Sequence, residues 1–264
     1  MWPDTNLKVA ALVSVGQHPK SGRARRASQD ARAVELGLKM SGDNFEAIHV
    51  GNCHEEGLRQ YLGMGLGRIT RLVADEDADA VPVLGDHLQT APAETMPDIL
   101  LTGVHAERGE GSGMTPYLLA ERLGWPLVPR IADIYKVENG KADVLQALPR
   151  GQRRLLRVPL PFVATVDNAA PDARQYAFGP ANRGQLVDLT VPAPTDDARL
   201  QWQCSPARPR PKRLPIAKAT SAADRFKAAT AKPQGQGGTI IREGTDSEKA
   251  AAIMALLVSE GVVR

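Results

Sequence analysis

Residues 103–126, GVHAERGEGSGMTPYLLAERLGWP, hold the groups in this chain best suited to meet an anion. Gly109, Gly111 and Gly113 lack side chains, so their backbone N–H groups can approach a ligand closely. Thr115 reads as the N-cap of the following helix and Pro116 as its first helical residue, where no N–H is required. A helix start offers unpaired N–H groups and the positive end of the dipole, both favourable to a phosphate. Glu107 and Glu110 pull the other way, because they bring negative charge towards that anion. On these residues alone, a phosphate cradle and a plain mobile connection both stay open. His105, at the start of the loop, reads either as a ligand contact or as a polar surface residue.

Familiar chemical signatures are missing around it. No GxxxxGK[ST] run is present, GEGSG is not GxGxxG, and the first strand carries no glycine fingerprint. No Ser-His-Asp, paired-carboxylate or HExxH arrangement occurs, so neither a catalytic residue nor a metal site is expected. Cys53 and Cys204 lie far apart without a CxxC partner, and Cys53 beside His54 is poorly placed to share one ion. They read as inert thiols of a reducing compartment.

The elements that must position the loop follow from the apolar pattern. KVAALVSV (8–15) is an apolar run of strand length, and no basic segment precedes it. It is too short for a signal-peptide core or a membrane span, so a cytoplasmic protein is expected. Ser28 is placed to cap a helix carrying 30–40. FEAIHV (45–50), RITRLV (68–73) and DILLTG (98–103) read as strands, with helices over 55–65 and 81–91 between them. This β-α-β-α rhythm predicts a doubly wound α/β fold, a mostly parallel Rossmann-like sheet with helices on both faces.

After Trp125 the pattern changes. Asn139-Gly140 centres a hairpin over 130–148, and FVATV in 155–167 reads as a buried strand returning to the sheet. From Pro192 to about Gly238 the chain is rich in Pro, Ala, Lys and Arg and reads as an arm or linker. Beyond it, TIIR (239–242) is expected as a strand, and Thr245-Asp246-Ser247-Glu248 has capping-box spacing before a last helix. The expected division is therefore an α/β domain over 1–191, an arm over 192–238 and a small β-α unit over 239–264, docked on the chain's own body or on a partner.

The bulk figures limit the function. Hydrophobic residues make up 42% of 264 residues, enough for a sizeable core, and aromatics only 4%, so Val, Leu, Ile and Ala must build it. A net charge of +3 does not mark the whole chain for nucleic acid. The basic run Arg208, Arg210, Lys212 and Arg213 lacks interleaved aromatics and suits an extended wrapping segment. Lys20, Arg23, Arg25 and Arg26 cluster in the first loop, which reads either as a surface that steers an acidic partner or as a plain solvated loop.

Three segments together resemble the beta subunit of electron transfer flavoprotein. EGLRQYLGMG (56–65) is similar to E-x-[IL]-R-x-x-L-x-M-G. DILLTG through LLAERLGWP (98–126) follows P-D-[LV]-[VL]-L-x-G, the nucleotide loop and the L-G-W-P end. LPFVATVD (160–167) with Tyr176-Ala177 resembles L-P-[AC]-V-V-T and P-R-Y-A. The similarity covers roughly 8 to 190 and implies a heterodimer whose alpha subunit holds most of the FAD site. It also implies AMP, or a second adenine nucleotide or FAD, in this subunit. Carried over by position, that nucleotide touches Ser14 and Val15, Asp30, Asn52, and a loop of His105, Ala106, Gly109, Glu110, Gly111, Ser112, Gly113, Met114 and Thr115. The partner-recognition loop aligns with YAFGPANRG (176–184), where Tyr176, Phe178, Gly179 and Arg183 stand. Phe178 is either an exposed anchor or packed under its own loop.

The differences from the family are local. Its D-D-D-x-N-Q-T-G-Q core is here GEGSGMTPY, keeping similar chemistry at Glu110 and Thr115, and N-P-F-[DC] is ASQD, keeping Asp30. The resemblance implies an electron carrier between a flavin dehydrogenase or demethylase and an acceptor such as a quinone reductase. AMP, a second FAD and an empty site stay open, as do a flavin-free nucleotide module and a scaffold subunit with a degenerate loop.

Overall fold

The central strands of the sheet, residues 9–12, 99–103 and 162–166, are buried along their whole length, and parallel strands of this kind must be covered on both faces. The computed structural model describes residues 7–52, 55–75, 78–109, 111–203, 205, 221–224, 226 and 240–259, without the side chain of Asp43. Its elements are β1 (Val9–Leu12), β2 (Val15–Gln17), β3 (Ala24–Arg26), α1 (Ser28–Ser41), β4 (Phe45–Val50), α2 (Glu55–Leu62), β5 (Arg68–Val73) and α3 (Ala80–Thr90). There follow β6 (Ile99–Gly103), α4 (Thr115–Leu123), β7 (Leu127–Glu138), β8 (Lys141–Ala147), β9 (Arg153–Pro159), β10 (Phe162–Val166), α5 (Phe178–Arg183), β11 (Gln185–Thr190) and α6 (Asp197–Leu200). The last helix, Asp246–Ser259, is termed α7.

The main sheet has the order β11-β5-β4-β1-β6-β10-β7-β8-β9. Pairings from β11 to β7 are parallel, and β8 and β9 add an antiparallel extension. Alternation along β1 divides the core. Val9 and Ala11 pack with Val34 of α1 and Leu58 of α2, while Ala10 and Leu12 pack with Leu84 of α3 and Leu119 of α4. The doubly wound parallel sheet read from the sequence is thus the fold observed, and FEAIHV and RITRLV fall on β4 and β5 at the expected bounds.

Several local expectations are corrected. The stretch read as a loop after the first strand contains a two-stranded antiparallel ribbon, β2-β3. Its strands have three residues each, too short to leave an alternating pattern. Ser28 is the first residue of α1 rather than its cap, which is Ala27. The excursion after Trp125 has three strands, since 155–167 divides into β9 and β10. Asn139 and Gly140 do turn the β7-β8 hairpin, with φ of 51° and 69°. Strand β11 was not anticipated: it lies at the sheet edge, and its last three residues are exposed.

The chain forms two compact units, Met1–Gln201 and Trp202–Arg264. The first includes the start of the expected arm, because Asp79 N donates to Pro194 O at 3.0 Å and Ala78 bridges Thr195. In the second, residues 240–242 form no strand. The capping box does form there: Thr245 N donates to Glu248 Oε2 at 2.7 Å, and Glu248 N to Thr245 Oγ1 at 3.4 Å. Glu110, Cys53, Cys204 and the 208–213 basic run lie outside the described residues.

Tyr61 ties the ribbon to the sheet. Its fully buried hydroxyl donates to Ser14 O at 2.8 Å and accepts from Ala27 N at 2.8 Å. Tyr61→Phe would leave both backbone groups unpaired in a buried place. We expect it to lower unfolding free energy by about 1–3 kcal/mol in urea denaturation, with the m-value unchanged.

Candidate functional site

Strand order reverses between β1 and β6, and the carboxyl ends of these two strands are where a doubly wound sheet places its ligand crevice. Asp30, in the first turn of α1, lies directly beneath it. Its Oδ2 accepts from Ser14 N at 2.7 Å and from Ser14 Oγ at 2.5 Å, after β1. Its Oδ1 accepts from Gly103 N at 3.0 Å, at the end of β6. The residue is only 5% exposed, and burial pushes its carboxyl up to about 6. The Ser14 and Gly103 hydrogen bonds oppose that rise without cancelling it.

Gln29 and Glu107 shape the loop above. Gln29 Oε1 accepts from Val104 N at 3.0 Å and His105 N at 3.3 Å, and its Nε2 donates to Asn168 Oδ1 at 3.3 Å. Glu107 reaches back across the loop to the start of α1. Its Oε1 accepts from Ser28 N at 2.8 Å and Ser28 Oγ at 3.0 Å, and its Oε2 pairs with Arg25 Nη2 at 2.9 Å. Of the two acidic residues that counted against an anion in the sequence, Glu107 is therefore already engaged.

The loop then turns through Gly109, Gly111 and Gly113, all at positive φ of 65–75°. At Gly113 a Cβ would press into the carbonyl oxygen of Val104, so the chain closes on itself there. Thr115 does not cap α4, as the sequence suggested. Met114 is the N-cap, Thr115 the first helical residue, and Pro116 lies one place further in. Ser112 Oγ accepts from Met114 N at 3.2 Å, and among the described residues no side chain caps α4 itself. Of the two helix starts at the switch point, α1 is thus covered by Glu107, and α4 carries no side-chain cap among the described residues.

The remaining site residues named from sequence fall around this frame. Ser14 is half-buried and Val15 buried after β1, while Asn52 is exposed after β4. His105, Gly111, Ser112 and Met114 are exposed, with Ala106 and Thr115 half-buried. Sequence reasoning missed Gln29, Tyr61 and the anchoring of Glu107, including its pairing with Arg25. The one available signal was Asp30, an acidic residue in the first turn of α1 on the same face as the apolar Ala33, Val34 and Gly37 that the helix buries.

On the far side of α1, residues 170–183 form a second feature. Arg174 makes a bidentate pair with Glu35, Nε–Oε2 at 2.7 Å and Nη2–Oε1 at 2.9 Å, and Arg32 binds Ala170 O and Asp172. The Arg26 guanidinium lies 5.7 Å from the Tyr176 ring centroid. Tyr176 is 51% and Phe178 79% exposed, so Phe178 is not packed under its own loop. Gly179 is half-buried and Arg183 exposed. Of the basic cluster, Arg25 and Arg26 are thus engaged within the chain.

A crevice at the switch point of a doubly wound sheet, beneath a glycine-rich loop and a helix start, defines a Rossmann-like α/β protein. A match to the electron transfer flavoprotein domain covers residues 21–194. The chain is also 51% identical over 261 residues to the electron transfer flavoprotein subunit beta of Chromohalobacter salexigens, spanning 98% of this chain and 96% of that protein. The chain belongs to the electron transfer flavoprotein beta-subunit family, and its role is electron transport within a flavoprotein. Among the described residues no helix is long and apolar enough to cross a membrane, and no group of three or more His, Cys, Asp or Glu could hold a metal.

The Asp30 network has a pH signature. A carboxyl raised in the folded state from 3.8 to about 6 favours folding while protonated. That contribution is fully present below the unfolded value and is lost as pH rises through about 6. The neutral acid can donate to Ser14 Oγ, which keeps the junction bonded. We expect the wild-type melting temperature, measured relative to Asp30→Asn, to fall between about pH 4 and about pH 7. A difference independent of pH would show that Asp30 is ionised throughout.

Proposed function

We propose that this chain pairs with an alpha subunit in a cytoplasmic electron transfer flavoprotein heterodimer. The alpha subunit would hold most of an FAD, which supplies the redox chemistry when bound. This chain would bind, orient and screen. Electrons would come from a flavin dehydrogenase or demethylase and pass to an acceptor such as a quinone reductase.

The observation that carries the nucleotide reading is the start of α4 at the sheet's switch point, where no side chain among the described residues caps the helix. The residues fit an adenine nucleotide such as AMP. Backbone N–H groups of Gly111, Ser112, Gly113 and Thr115 would meet the phosphate, with Glu110 in the same loop. Ser14, Val15, Asn52, His105, Ala106, Gly109 and Met114 would border the ligand, and Asp30 would hold the floor from below. Tyr176, Phe178, Gly179 and Arg183 would contact the electron donor, a role supported by the exposed ring of Phe178.

The C-terminal unit fits a docking role on the alpha subunit. In α7, Ile253, Met254, Leu256 and Val258 are 52–60% exposed. A helix apolar on most sides needs a covering surface.

Co-expression with an alpha-type partner should yield a yellow complex, and denaturing extraction should release FAD and an adenine nucleotide in equal amounts. A colourless chain that never pairs would reject the reading, and FAD without mononucleotide would reject its adenine-nucleotide part. Separately, Phe178→Ala should leave flavin content and melting temperature unchanged. It should slow reduction by the cognate donor about fivefold or more, as expected for loss of an aromatic anchor. An unchanged rate with that donor would remove Phe178 from the contact.

A further inference from the structure

We propose that Glu107 determines which ligand the crevice accepts, acting as a built-in anion that occupies the start of α1 and turns away a second phosphate. The inference rests on the adenine-nucleotide reading above and deepens it, assigning the pocket to nucleoside monophosphates over diphosphates and dinucleotides.

In a doubly wound sheet, the helix after the first strand directs its free N–H groups at the pyrophosphate of a bound dinucleotide. In this chain that position is filled from within. The Glu107 carboxylate accepts from Ser28 N at 2.8 Å and Ser28 Oγ at 3.0 Å. Arg25 Nη2 donates to its two oxygens at 3.1 and 2.9 Å. These are the contacts a phosphate would make there, from a helix-start N–H, a hydroxyl and a guanidinium.

The seat is shaped as well as charged. A Cβ at Gly16 would overlap Glu107 Oε2, so the glycine in β2 gives the carboxylate its room. Arg25 is itself held, with Nε donating to Gln17 O at 3.2 Å and Nη1 to Ser28 Oγ at 3.1 Å. The Glu107 side chain is only 23% exposed. A second phosphate at α1 would have to expel this carboxylate, break its bonds to Ser28 and Arg25, and remain beside its charge. At α4 no side chain among the described residues caps the helix, so a single phosphate there displaces none of them.

Glu107 could instead only fasten the loop. In that case its loss would weaken folding or all binding equally, without changing the choice of ligand. The test is calorimetric titration of the nucleotide-stripped heterodimer with AMP and with ADP, comparing wild type, Glu107→Ala and Glu107→Gln. Glu107→Gln keeps the shape and the Ser28 bond while removing the charge, which guards against a folding defect in the alanine variant.

We expect wild type to prefer AMP over ADP by about tenfold or more. Removing the carboxylate should tighten ADP about tenfold, with AMP changed less than about threefold and Glu107→Gln shifted the same way by less. Wild type binding ADP as tightly as AMP would overturn the proposal, and so would an AMP:ADP ratio unchanged in both variants. In the second case AMP binding by wild type would leave the nucleotide reading standing. Wild type binding neither nucleotide while Glu107→Ala binds ADP would sustain the built-in anion and reject the nucleotide reading for the native protein. Binding to none of the three would reject both.

Discussion

The carboxylate of Asp30 joins three pieces of chain that separate at the switch point: the end of β1, the end of β6 and the start of α1. Two backbone N–H groups and one hydroxyl converge on it in a place almost without solvent. A buried ionised carboxylate is costly, and its raised pKa is the measure of that cost. Substituting an apolar residue would not simply recover it, because Ser14 N and Gly103 N would then be buried without acceptors. Registers of β1 against β6 and of α1 against both therefore depend on this group, and everything in the crevice is placed relative to them.

The loop above inherits its order from the same helix. Gln29 and Ser28 flank Asp30 in sequence, and each reaches a different part of residues 104–107. The glycines that make the segment read as mobile lie between two anchored ends, the Glu107 seat and the first turn of α4. Left-handed glycines in this setting set a path more than they grant freedom, and Gly113 shows it by closing against the Val104 carbonyl. Anion affinity at such a site comes from N–H groups fixed before the ligand arrives.

The large features were legible in sequence because they follow from burial. Strands covered on both faces must be near-continuous apolar runs, so β6 and β10 stood out, and β4 and β5 kept enough apolar residues to read as strands despite Glu46, His49, Arg68 and Arg71. Asn139-Gly140 and the Thr245–Glu248 box were legible because they are local, each fixed within a few residues. What escaped depends on partners far along the chain or on backbone pairing alone. β11 is recruited through its main chain by β5, with little outward apolar signal. The bond from Glu107 to Ser28 spans 79 residues, so its charge looked free and adverse to a ligand when it was already spent. The one-residue shift at Thr115 arose because Ser112 and Gly113 finish the turn earlier than the Thr-Pro pair implied.

Helix α1 also connects the crevice to the exposed aromatic segment. Its first turn holds the loop through Ser28, Gln29 and Asp30, and its next turns hold residues 170–174 through Arg32 and Glu35. Asn168, which accepts from Gln29, links both sets of contacts at the end of β10. An electron carrier makes and breaks no bonds of its own, so distances between bound cofactor and docking surface are what its protein part must control. A helix packed by Val34 and Leu36 into the core is stiff on the scale of those distances. Here the loop and the segment leading to Tyr176 and Phe178 are fixed to one such rod. The position of one therefore sets the position of the other.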